Sequence, residues 1–313
     1  MKIFFICPYN RTGGPECLHQ WCDMINTLEC ADAYIYYTQC DITQAETLYD
    51  DSPILYTEKY KNIKRSLEIE DVKENMVFYT ALPGSDAVSN ARIVIACLGI
   101  PSFTPILGYI YVFQSFGAKQ HLLSISKDIE WFDIDDYIHD IYVSQSYQRY
   151  PKSNIITYNI LKDHITPTIT DCNRLLHRPV IPTETFFGNT AEEVIEKLKK
   201  SIIYSDLGNH PGRDRIPREA ALLGCVVVVM NNGTAKYKED VPLSLVAKDV
   251  REAYDMIQKA LEDPDKYVKE QEIYVEAIRG SKDKCAKQIY AFCKRFGPDQ
   301  IILDTPKIDI ISI

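Results

Sequence analysis

Short, nearly continuous apolar runs alternate with amphipathic stretches along most of this chain. In the first half, residues 2–7 (Lys-Ile-Phe-Phe-Ile-Cys), 33–38, Met76 to Ala81, Ile93 to Leu98 and Tyr109 to Phe113 are apolar, β-branched or aromatic, and each predicts a strand. Residues 141–145 and 155–158 read as the last short strands of this half. A helix over 15–29 opens at Pro15, a residue whose missing N–H costs little in a first helical turn. Apolar strands without polar alternation, separated by helices, predict a parallel sheet covered on both faces.

The alternation pauses over a loop-rich stretch, 162–182, with Pro167, Pro179 and Pro182, and then restarts. Thr190-Ala191-Glu192-Glu193 has the form of a capping box. Strands are expected at Ile202 to Tyr204, at Val226 to Met230 and near 243–247, with a helix over 250–262. Cys285, Ile289, Phe292 and Phe296 form one stripe of a helix over 281–296. The expected organisation is a first domain over 1–160, a second over 161–280, and a terminal helix and tail over 281–313. The isoleucine-rich tail, from Ile301 to Ile313, reads as an added strand, an arm that joins copies into an oligomer, or a filler for a groove on its own domain.

A length of 313 residues suits two such domains, and 46% hydrophobic with 25% charged residues is the composition of an ordinary globular protein. A net charge of −9 argues against a surface built to track nucleic-acid phosphates. No apolar run approaches the ~18 residues needed to span a bilayer, so no integral membrane segment is expected. Ten cysteines without a CxxC pair fit reduced thiols in a cytoplasmic setting better than a disulfide framework or a metal site.

Two loops stand apart. His210-Pro211-Gly212-Arg213-Asp214-Arg215-Ile216-Pro217-Arg218-Glu219-Ala220-Ala221 stacks three arginines where a helix begins. The helix dipole is positive there, and cations are disfavoured unless an anion joins them. The other reading is a solvated turn whose arginines pair with Asp206, Asp214 or Glu219. Thr12-Gly13-Gly14-Pro15, between the first strand and first helix, lets backbone approach a ligand, or is a plain tight turn. It is neither GxGxxG nor GxxxxGK[ST]. A third segment, Asp133-Ile134-Asp135-Asp136, is either a divalent-ion grip or a solvated, capping acidic run.

At these loops the chain resembles the GT-B glycosyltransferases of the retaining, group 1-like, bacterial and viral branch. Thr12-Gly13-Gly14-Pro15-Glu16 with Leu18-His19-Gln20 is similar to their N-terminal signature. Asn209 to Ala221, Gly224-Cys225, Gly233 to Lys236 and Glu239 to Pro242 are similar to their nucleotide-sugar domain. The resemblance implies an α/β fold of two Rossmann-like domains facing across a cleft, with a C-terminal helix crossing back to the first domain. It implies transfer of a sugar from a nucleotide-diphosphate sugar to a glycan, lipid or protein acceptor, with no metal and no further cofactor. Arg213 and Arg215 would neutralise the departing diphosphate, with Arg218 beside them, and Gly13 and Gly14 would offer N–H groups to it. Glu219 would grip the donor ribose, and His210 would face the sugar, so His210 and Arg215 are the expected catalytic residues. The chain departs from the pattern at Pro211, where the first Glu of a retaining E-x7-E is expected, at Pro83-Gly84, and at Gly99-Ile100-Pro101-Ser102. These departures leave a second reading, a non-catalytic GT-B module that binds a nucleotide sugar or glycan or serves in a glycan-building complex. A DNA-base glucosyltransferase is disfavoured by the acidic charge.

Overall fold

In a computed structural model, residues 1–10, 12–38, 55–85, 87–159, 183–186 and 190–297 are described. The N-terminal half builds a seven-stranded sheet in the order β3-β2-β1-β4-β5-β6-β7, every neighbour parallel. Its strands are β1 (Lys2–Pro8), β2 (Asp32–Thr38), β3 (Lys64–Arg65), β4 (Met76–Tyr79), β5 (Arg92–Cys97), β6 (Ile110–Phe113) and β7 (Glu130–Asp133). Helices α1 (Gly13–Thr27), α2 (Leu55–Lys59) and α3 (Phe116–Ile125) belong to this half. The central strands β4 and β6 are buried at every position, as continuous apolar runs in a doubly covered sheet must be.

The C-terminal half carries a five-stranded parallel sheet, β12-β11-β10-β8-β9. These are β8 (Ser153–Asn159), β9 (Thr183–Phe186), β10 (Ser201–Asp206), β11 (Val226–Met230) and β12 (Val246–Ala247). Its helices are α4 (Asp140–Val143), α5 (Ala191–Lys200), α6 (Arg215–Leu222), α7 (Val250–Glu262), α8 (Pro264–Glu270), α9 (Glu272–Arg279) and α10 (Ser281–Phe296). The capping box is made: the Thr190 hydroxyl accepts from the Glu193 N–H, and the Glu193 carboxylate accepts from that of Thr190.

Two expectations are corrected. Residues 141–145 do not form a strand. His139 accepts the Ile141 N–H with its ring, and Ile141-Tyr142-Val143 turn as the short helix α4, burying Tyr142. Residues 155–158 form a strand, but as β8 it pairs with β9 and β10 in the second sheet and not with the first. The crossing between sheets therefore lies within 134–152. Ile134 and Tyr137 still pack in the first core, whereas Ile138 and Tyr142 pack in the second. The expected loop over 162–182 and the tail over 301–313 lie outside the described residues.

Helix α10 packs on the first sheet's core. It follows the C-terminal helices in sequence, yet Cys285, Ile289, Phe292, Cys293 and Phe296 are buried in the core that α1 makes with the first sheet. Phe292 sits 5.7 Å from both Phe78 of β4 and Phe132 of β7, ring centre to ring centre. Burying such side chains contributes about 1.5–3 kcal/mol each.

Candidate functional site

Both loops singled out in the sequence leave the carboxyl ends of central strands. One follows β1 and opens α1; the other follows β10 and opens α6. Connections diverge to either side at β1 in the first sheet and between β8 and β10 in the second, the positions where open parallel sheets form crevices. A cavity of about 190 Å³ lies between the loops. Gly13 and Gly14 line it from one side, Arg213 and Arg215 from the other, with Leu98 and Gln114. The sequence pointed to the first four; Gln114 was missed, since nothing local marks the end of β6.

The arginines face carboxylates of the other domain, far from them in sequence. Arg213 Nη1 is 2.9 Å from Asp135, which also meets Lys284 at 2.8 Å. Arg218 makes a two-pronged pair with Asp136, 3.0 and 2.6 Å, and both side chains are 1% exposed. It also donates to the backbone carbonyls of Asp214 and Arg213, so it braces the loop from below. Neither Arg218 nor Glu219 lines the cavity. The acidic run is thus neither a metal grip nor a solvated cap. Asp133 pairs with Lys119 at 2.7 Å, and Asp135 and Asp136 are buried partners of the arginine loop.

Arg215 differs from its neighbours. Its Nε is 3.3 Å from Glu16 and 3.7 Å from Glu219, and its Nη1 is 3.7 Å from Asp136. Neither Nη1 nor Nη2 makes a hydrogen bond to the described residues, although both are buried. Two orphaned donors of a buried guanidinium are costly unless an acceptor arrives. Burial works against the charge of Arg215, but the carboxylates around it hold its pKa well above the ordinary value.

Glu16, the last residue of the Thr12 to Glu16 segment, organises this contact. It accepts from Lys59 at 2.5 Å and from the Tyr60 hydroxyl at 2.8 Å, besides facing Arg215. Burial pushes its carboxyl up, yet the charges of Arg215 and Lys59 and these hydrogen bonds outweigh it and hold the pKa down to about 2. Burial pushes Glu219 the other way, above its usual value, against the pull of Arg215 and with the charge of Glu16 adding to it.

His210 is 3% exposed and lies outside the cavity lining. Its Nδ1 is 2.5 Å from the Asp214 carboxylate and its Nε2 is 3.3 Å from the Asp206 carbonyl. The Asp206 carboxylate approaches Nε2 and that of Asp214 approaches Nδ1. Asp206, His210 and Asp214 therefore form a compact cluster close enough to share one metal ion, in which His210 hydrogen-bonds to the Asp214 carboxylate and the Asp206 carbonyl.

Two departures from the family pattern touch each other. The Ile100 N–H donates to the Pro211 carbonyl at 2.7 Å. A Cβ on Gly212 would fall inside the radius of the Leu98 carbonyl oxygen, so only glycine permits this approach. Gly233, at φ +51°, presses likewise on the His210 carbonyl. A second latch lies nearby: the Asp240 carboxylate accepts the N–H groups of Phe116 and Gly117, both at 2.8 Å, at the start of α3.

No protein-family model matches the chain, and a search of curated proteins returned no match. Solved structures do match. A glycosyltransferase from Rickettsia africae ESF-5 aligns with a TM-score of 0.61 at 15% identity, over 94% of this chain and 98% of its own. AviGT4, a glycosyltransferase involved in avilamycin A biosynthesis, aligns at 0.57 and 12%, over 94% and 98%. Anabaena Alr3699/HepE in complex with UDP-glucose aligns at 0.56 and 10%, over 94% and 97%. The likeness covers more than nine-tenths of the chain. The chain has the GT-B glycosyltransferase fold, two Rossmann-like domains facing across a cleft.

Proposed function

We propose that the chain binds a nucleotide-diphosphate sugar with its diphosphate in the cavity between Gly13, Gly14, Arg213 and Arg215, and transfers the sugar to a glycan, lipid or protein acceptor. The observation that carries this reading is the pair of buried Nη donors on Arg215, neither of them hydrogen-bonded to the described residues, on a side chain that lines that cavity. At about 190 Å³ the cavity is smaller than the ~300–1,000 Å³ typical of drug-sized ligands, and suits the diphosphate portion of a larger molecule. The Alr3699/HepE relative in fold is known with UDP-glucose bound, which favours a uridine donor as the first to try. Two guanidinium groups would stabilise the leaving diphosphate electrostatically, without a metal. Retention of configuration rests on the position of Glu219 in the E-x7-E pattern. Arg218 supports the site through Asp136 and does not touch the ligand in this reading.

The test is titration calorimetry with UDP. The wild-type chain should bind, and Arg215→Ala and Glu219→Ala should each weaken binding about 10- to 100-fold, as expected for lost bonds to charged groups. Unchanged affinity in both variants would remove the site. The non-catalytic reading is favoured by one observation, the Ile100–Pro211 backbone contact, made where the pattern expects the first Glu of E-x7-E and an acceptor-side segment. Slow release of UDP from UDP-glucose by the wild-type chain supports the enzyme; tight binding with no release supports the binding module.

A further inference from the structure

The Sγ atoms of Cys30 and Cys293 are 3.2 Å apart, although the residues are 263 positions apart in sequence. Cys30 closes the turn after α1 and Cys293 lies near the end of α10. We propose that these two thiols form a reversible disulfide that staples the crossing helix to the N-terminal domain. A disulfide brings its sulfurs to about 2.05 Å, so each would move by roughly 0.6 Å.

Cys30 differs from the other core thiols. Burial pushes Cys22 and Cys97 up to about 12, the mark of inert thiols. The contact with Cys293 lowers Cys30 and raises Cys293, which makes Cys30 the better nucleophile. Both sulfurs are buried, but Cys30 sits in a turn beside the exposed Glu29, with exposed Asp32 two residues on, so small local opening admits a reagent. With a small disulfide such as oxidised glutathione as oxidant, the Cys30 thiolate attacks one glutathione sulfur and expels one glutathione. The Cys293 thiolate then attacks Cys30 in the mixed disulfide and expels the second. The protein loses two protons and two electrons; the oxidant becomes two reduced glutathiones.

The whole chain is incubated with oxidised glutathione, alkylated, digested without reduction and mapped by mass spectrometry. The expected result is a peptide joining Cys30 to Cys293 and an intact mass lower by two hydrogen atoms. The melting temperature should rise by several degrees, because the bond closes a very long loop of the unfolded chain, and dithiothreitol should reverse both changes. Cys30→Ser and Cys293→Ala should show neither link nor rise. Recovery of both cysteines as free thiols, or as separate glutathione adducts, overturns the proposal, as does a thermal rise that persists in Cys30→Ser. If a variant fails to fold, the wild-type peptide map alone decides.

Discussion

Arg218 and Asp136 are each almost wholly withdrawn from water, and the cost of removing two charges from solvent is offset only while both are present. Arg218→Ala should therefore destabilise the protein by about 3–5 kcal/mol, measured by urea unfolding, and the apolar pair Arg218→Met with Asp136→Leu should recover most of that loss. A single-site loss below about 1 kcal/mol, the range of exposed pairs, would show that the pair is not buried in solution. Glu16 gives a pH signature. Its folded pKa of about 2 lies below its ordinary 4.5, so its contribution is complete above pH ~4.5 and is lost as pH falls toward ~2, on the order of 3 kcal/mol in all. Stability measured from pH 7 to pH 2.5 should fall less steeply below pH 4.5 in Glu16→Gln than in wild type; parallel acid limbs would refute the assignment.

The end of α1 shows how an element can form against local preference. The Glu29 N–H reaches the Asn26 carbonyl and the Cys30 N–H that of Ile25, a Schellman ending whose left-handed position glycine normally fills. Here Glu29 holds φ +53°. Glu29→Gly should stabilise the fold by about 1 kcal/mol, read from the thermal midpoint; a lower midpoint would mean that the carboxylate contributes more than its backbone strain costs. The same contest between local and distant forces decided which elements were legible in the sequence. The buried strands β1, β4, β5, β6 and β11 announced themselves as apolar runs, and α10 by its stripe. The strand β3 is two polar residues, and β7 runs Glu-Trp-Phe-Asp, so neither carries a pattern. In 141–145 a β-branched run resembles a strand, yet the His139 cap and the burial of Tyr142 against the second core made it helical. The arginine loop was visible because cations at a helix start are out of place. Its partners were not, since Asp136 meets Arg218 across 82 positions and no spacing rule reaches that far.

At the scale of the whole molecule, the described parts of the two domains meet through backbone contact at Ile100 and Pro211, the Asp240 carboxylate at the start of α3, buried ion pairs at Asp135 and Asp136, and the apolar packing of α10 into the first core. Each is short-ranged, so together they hold one relative orientation. Asp240→Ala removes the acceptor for two N–H groups, and hydrogen bonds to a charged group are worth about 1.5–3 kcal/mol. The amides of Phe116 and Gly117 should then exchange with solvent about 10- to 100-fold faster, while those of β4 keep their rates. Unaltered exchange at Phe116 and Gly117 would mean that the latch does not form.

Helix α10 carries a consequence for how the protein is made. A ribosome delivers β1 to β7 long before Cys285 to Phe296, yet those late residues complete the first core. The nascent N-terminal half therefore waits, with the apolar face of α1 and the rings of Phe78 and Phe132 uncovered, until residues 281–297 have emerged. Folding here cannot proceed domain by domain in the order of synthesis, and an expressed fragment of residues 1–137 should remain sticky and aggregation-prone until a separate peptide of residues 281–297 is supplied to it.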